Sequence, residues 1–132
     1  MRNYIKYIGI CVLLLSFVLI PSSAEQALIH GKYRIAYSDT VVSTAYNSME
    51  SQCDSTPWIT ASGTRCREGV VAANHLPIGT KLVIDGFGGQ IFTVEDRMNR
   101  RYNRRIDIWF RSYSDAMRFG KRKIRYHVLE SV

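Results

Sequence analysis

This chain is poor in the residues that bind metals. It has three cysteines and three histidines in 132 residues, and no histidine stands at ligand spacing from Cys53 or Cys66. A zinc site is therefore not expected, and no cofactor is expected either. No paired histidines or His/Glu set accompanies the basic stretch near the C-terminus, which argues against a nuclease. No repeat, low-complexity tract or linker follows residue 40. No apolar run reaches the roughly 20 residues of a helical membrane span. Acidic residues are missing from the first 24 positions.

What stands in those first positions is a leader. Arg2 and Lys6 precede an apolar run from Ile8 to Ile20, and Pro21-Ser22-Ser23-Ala24 follows. A charged start, an apolar middle and small residues at the end are the parts of a secretory signal. Cleavage is expected after Ala24, leaving 25–132; an uncleaved anchor is the alternative. The localisation expected is export, to a periplasm, cell wall or outer membrane. Cys11 leaves with the signal. In an oxidising compartment Cys53 and Cys66 most simply pair, and the alternative is two free thiols.

Charge is uneven. The chain carries 18 Lys or Arg against 11 Asp or Glu, and eleven of the bases fall between Arg97 and Arg125. Such a field attracts polyanions. For an exported protein these are anionic wall polymers or lipid, with no nucleic acid expected. A basic face that only aids solubility is the competing reading.

After a lead-in at 25–39, short β-branched or apolar runs alternate with turns. Strands are expected at 40–46, 69–74, 81–84, 90–96, 104–110 and 124–129. Glycine-rich turns such as Asp85-Gly86-Phe87-Gly88-Gly89 separate some of them. Ser112 or Ser114 can cap a short helix ending before Gly120. In Arg104–Phe110 a period of two puts Ile106, Ile108 and Phe110 on one face. Arg105, Asp107 and Trp109 fall on the other. The sum is an all-β protein, and closure into a barrel would remove its exposed edges.

Several of these pieces recur in a fixed order: T-A-Y at 44–46, T-A-S-G at 60–63, V-A-A-N-H-L-P-I-G-T-K at 71–81, V-E-D at 94–96, R-I-D-I-W-F at 105–110 and A-M-R-F-G at 116–120. Together they resemble the 3D domain, named for three aspartates. That family is similar to the catalytic barrel of MltA-type lytic transglycosylases and to RlpA-like double-psi barrels. The resemblance spans roughly 40–130, so the domain is placed at 40–132. It implies a six-stranded double-psi β-barrel acting on peptidoglycan glycan strands. The short helix is read from its caps, and a monomer is expected. Asp96 and Asp107 match two of the three signature acids. Asn74 stands where the first would be.

The implied reaction breaks a MurNAc–GlcNAc bond and closes a 1,6-anhydro ring. One carboxyl, Asp107, would protonate the leaving oxygen and then accept the C6 hydroxyl proton. Its pKa would have to be raised, with Trp109 and Asp96 pushing it up and Arg105 pushing it down. Asn74, Thr44, Tyr46, Thr60, Ser62, Trp109 and Arg97 are the substrate-binding candidates. Hydroxyls in T-A-S-G can equally satisfy turn backbone. Trp58 is a further ring for stacking. His75 reads as a surface histidine and His127 as structural. A wall-binding module without catalysis, on the same barrel, is the alternative function.

Overall fold

A computed structural model of the chain describes residues 31–48 and 58–132. The segment expected to be a leader and Cys53, with its expected pairing to Cys66, lie outside the described residues. Six strands and one helix follow in order: β1 (Tyr33–Tyr46), β2 (Val70–Ala73), β3 (Lys81–Ile84), β4 (Ile91–Asp96), β5 (Arg105–Trp109), α1 (Tyr113–Phe119) and β6 (Arg122–Ser131). The strands close into a barrel in the order β1-β5-β2-β4-β3-β6. β1 pairs with β5 and β2 with β4 in parallel, and the other four ladders are antiparallel. The expectation of an all-β, six-stranded barrel with one short helix holds. The strand order is consistent with a double-psi barrel.

Alternation builds the core. Ile106 and Ile108 of β5 point inward with Val71 and Ala73 of β2, Leu82 and Ile84 of β3, and Phe92 and Val94 of β4. Ile124, Tyr126 and Val128 complete it from β6. Phe110 is only half-buried. It packs with Phe119 at 5.4 Å between ring centres and with Phe87 at 6.5 Å, closing the rim under α1.

The helix has the expected caps. The Ser112 hydroxyl accepts from the Asp115 N–H at 3.3 Å. Gly120 ends it at φ 63°, with its N–H donating to the Ala116 carbonyl at 3.0 Å. A left-handed φ at that position is costly for any residue with a Cβ.

One strand is longer than its sequence suggests. β1 begins at Tyr33, seven residues before the expected start, so residues 33–39 are strand and not an irregular lead-in. Most of that stretch is solvent-exposed, so it shows no burial alternation. What holds it is the backbone ladder to β6, which runs from Tyr33 opposite Ser131 to Ser43 opposite Arg122.

His127 reinforces this face. Its Nδ1 lies 2.6 Å from the Ser38 hydroxyl on β1 and its Nε2 lies 2.8 Å from Asp85 Oδ1, just past β3. The chain of contacts ties three neighbouring strands together. It has the composition of a catalytic triad, but Asp85 is 62% exposed, so water screens the carboxylate that would have to orient the ring.

Ile106 is fully buried at the centre of the core. Truncation of such a side chain removes apolar contact and leaves a cavity. Ile106→Ala is expected to cost about 2–5 kcal/mol in denaturant unfolding, with the slope against denaturant unchanged.

Candidate functional site

Four adjacent strands put Asp96 and Asp107 in one row. Thr44 of β1 pairs across from Asp107 of β5. Asp107 in turn pairs with Ala72 of β2, and Ala72 with Asp96 of β4. Residues directly opposite in a sheet share a face. That face is the outer one, because Ile106 and Ile108 on either side of Asp107 belong to the core. Between the two acids the sheet places only the methyl group of Ala72.

Asp96 reaches this face through a bulge. The β2–β4 register slips between Val71, opposite Val94, and Ala72, opposite Asp96. Glu95 is therefore the extra residue on β4. In a regular strand Asp96 would share the inward face of Val94; one inserted residue turns it outward. The slip also brings Glu95 into use. Its carboxylate accepts two bonds from Arg67, at 2.5 and 2.8 Å, and one from the Thr64 hydroxyl at 2.5 Å. The Arg67 guanidinium holds the Glu95 carboxyl below its usual range, against the opposing effect of burial.

The T-A-S-G segment forms a tight turn over this row. The Gly63 N–H donates to the Thr60 carbonyl at 2.9 Å, with Gly63 at φ 82°. The hydroxyls of Thr60 and Ser62 lie 3.0 Å apart, and those of Thr60 and Thr64 2.7 Å apart. The turn presents the Ala61 N–H to Asp96 Oδ1 at 2.9 Å. Asp96 also accepts from the Arg97 N–H at 2.9 Å and from the Tyr46 hydroxyl at 3.1 Å. Burial, then the charge of Asp96, pushes the Tyr46 phenol far above its ordinary pKa, so it remains a donor.

Asp107 is different. It is half-buried and accepts from the Thr44 hydroxyl at 2.9 Å. Its pKa is pushed up to about 6. Burial is the main cause, and the Asp96 charge adds to it. The Thr44 hydrogen bond and the Arg105 charge oppose the rise. Arg105 itself lies over the Tyr102 ring, 4.3 Å from its centre.

The remaining candidates face elsewhere. Asn74 donates its amide to the carbonyls of Met98 and Asn99 at 3.0 Å and of Tyr102 at 3.2 Å, and its oxygen accepts from the Met98 N–H at 3.0 Å. It clamps the loop between β4 and β5. Arg97 donates to the carbonyls of Ala73 and Leu76 at 2.5 and 2.6 Å and so holds the β2–β3 connection. Trp109 is 5% exposed, packed with Cys66, Val70 and Tyr46, with its ring N–H donating to the Ser48 hydroxyl at 2.8 Å. A ring so enclosed offers no open face for a sugar. Trp109 also lines a pocket of about 230 Å³ with Phe87, Phe92 and Phe110, and neither Asp96 nor Asp107 lines that pocket. Trp58 is exposed. His75 is not a free surface group. It is half-buried with its Nε2 3.3 Å from the Tyr126 hydroxyl, and burial lowers its pKa.

Sequence reasoning missed Glu95, Arg67 and the Ala61 N–H. The only available signal was the acid pair in V-E-D, where one acid breaks the strand period. No protein-family model matches the chain, and no curated protein matches it. The class that the fold defines is a closed six-stranded β-barrel with paired aspartates on its outer face.

Two outcomes follow from this geometry. Asn74→Asp removes the donor that three carbonyls share and sets a carboxylate against them. It is expected to cost about 1–3 kcal/mol, with a larger loss at pH 7 than at pH 4, read by thermal melting. Asp107→Asn keeps an acceptor for Thr44 and removes a buried charge. A carboxyl raised in the folded state stabilises below its unfolded pKa and loses that contribution as pH rises through about 6. The variant is therefore expected to melt higher than the parent at pH 7.5 and about equally at pH 4.

Proposed function

We propose that this protein is an exported peptidoglycan-active enzyme, a lytic transglycosylase in which Asp107 is the general acid and base. The observation that carries the reading is the asymmetry of the two acids. Asp96 is surrounded by three donors, whereas Asp107 has one and is held up to about 6 by burial. Environments that separate two neighbouring carboxyls are the usual way to assign acid and base roles.

Asp107 would enter the reaction protonated and give its proton to the glycosidic oxygen as that bond breaks. The muramic acid C6 oxygen would then attack the anomeric carbon and return a proton to Asp107. No water enters that step, so a second carboxyl to activate water is not needed. Asp96 would act as the negative neighbour that keeps Asp107 protonated, and Tyr46 would hold Asp96 in place. Thr44 would orient the reacting carboxyl. Thr60 and Ser62, in the turn above, would meet sugar hydroxyls.

The missing third acid does not weaken this chemistry, because Asn74 is occupied in holding a loop. The burial of Trp109 favours the second reading, a wall-binding module without catalysis, since it leaves the row of acids without an open aromatic platform.

Digestion of purified sacculi separates the two readings. The enzyme is expected to release 1,6-anhydromuropeptides, seen by mass spectrometry. Release should be greatest near or below pH 6 and fall as Asp107 ionises. Asp107→Asn should lower it by a hundredfold or more, in the range of a lost general acid. Sacculus binding with no soluble product from the parent protein would leave the binding module.

A further inference from the structure

The basic segment is less uniform than its composition. Of its eleven cations, seven are engaged within the fold by carbonyls, carboxylates or aromatic rings, as Arg104 is by Asp39, Arg118 by Asp115 and Arg105 by Tyr102. The side chains of Arg100, Lys121, Lys123 and Arg125 have no such partner among the described residues. Lys123 and Arg125 lie in the first half of β6, and Lys121 stands immediately before it. Lys123 and Arg125 alternate with the core residues Ile124 and Tyr126, so they stand on the outer face, across from Val42 and Thr40 of β1. Alternate strand residues are about 6.6 Å apart, which sets the spacing of Lys123 and Arg125, and Lys121 precedes the pair one residue before the strand begins.

We propose that these three cations form a docking track for a linear polymer of phosphodiester-linked polyols. Three successive cations without an ion pair among the described residues match an extended chain that carries one negative charge per short repeat. The chemistry of the strip favours this occupant over two other polyanions. No large exposed apolar side chain lies on it, the exposed ones being at 35, 37, 58, 59, 78, 113, 117 and 132. Stable interfacial attachment to a bilayer draws on apolar burial as well as charge, and three cations alone attract it only weakly. The strip carries no aromatic ring on which bases could stack, which single-stranded nucleic acid sites use.

The test is binding of poly(glycerol phosphate) to the full chain over a series of salt concentrations. Three contacts to a flexible polyanion give an expected slope of about −2 for log K against log salt. Replacing Lys121, Lys123 and Arg125 by Gln together should weaken binding at least tenfold at low salt and flatten the slope. Arg101→Gln with Arg118→Gln, which removes two engaged cations, should leave affinity unchanged. Equal binding by the triple variant, or an equal loss in the control pair, would overturn the track. Tighter binding to anionic phospholipid vesicles or to single-stranded DNA than to the polymer would overturn its assignment. Should the triple variant melt early, the three single substitutions carry the test, each with a few-fold loss. Asp107→Asn should bind the polymer as the parent does, which keeps this result separate from the glycan reaction.

Discussion

The register of four neighbouring strands is the constraint on which the site depends. β1, β5, β2 and β4 set Thr44, Asp107, Ala72 and Asp96 side by side. These residues come from four separate parts of the chain. Only barrel closure brings them within interaction range, and the bulge at Glu95 decides whether Asp96 joins them. In a strand regular through Glu95, Asp96 would face the apolar interior. A buried acid there would have no partner and would oppose folding.

Around that row the polar groups sort into two kinds. Some make the site rigid. Glu95 with Arg67 and Thr64 anchors the T-A-S-G turn, and the turn's Ala61 N–H then holds Asp96. Asn74 and Arg97 fix the loops that flank it by binding backbone carbonyls. Asp107 is left with one hydrogen bond and a desolvated carboxyl. The surroundings are satisfied while the group proposed to react is kept at a disadvantage, a pattern found where function competes with stability. Asn74 fits this account better than an acid would. An amide donates to carbonyls, and an ionised carboxylate cannot.

Much of the architecture was legible because it is written in local pattern. A continuous apolar run in Val70–Ala73 and period-two alternation in Ile91–Val94 and Arg105–Ile108, with turn residues between, mark strands whichever partners they find. The helix was legible from its caps, Ser112 and Gly120. The first half of β1 was not legible. Tyr33–Asp39 is exposed on most of its length and is held by main-chain bonds to β6, and main-chain bonds leave no trace in side-chain order. Trp109 misled for a related reason. Alternation correctly put it opposite the core, but it could not show that a second small cluster with Cys66, Val70 and Tyr46 covers that outer face.

By itself, then, the sequence determined the strand-and-turn succession, the inward apolar set, the helix caps and the presence of acids beside aromatics. These are properties of residues and their near neighbours. Tertiary structure alone decided which polar side chains meet. It spent Asn74 and Arg97 on loops, enclosed Trp109, brought Glu95 to Arg67 and left Asp107 half-buried beside Thr44. Hydrogen-bond partners and desolvation depend on distances between segments far apart in the chain. Those distances exist only once the barrel has closed.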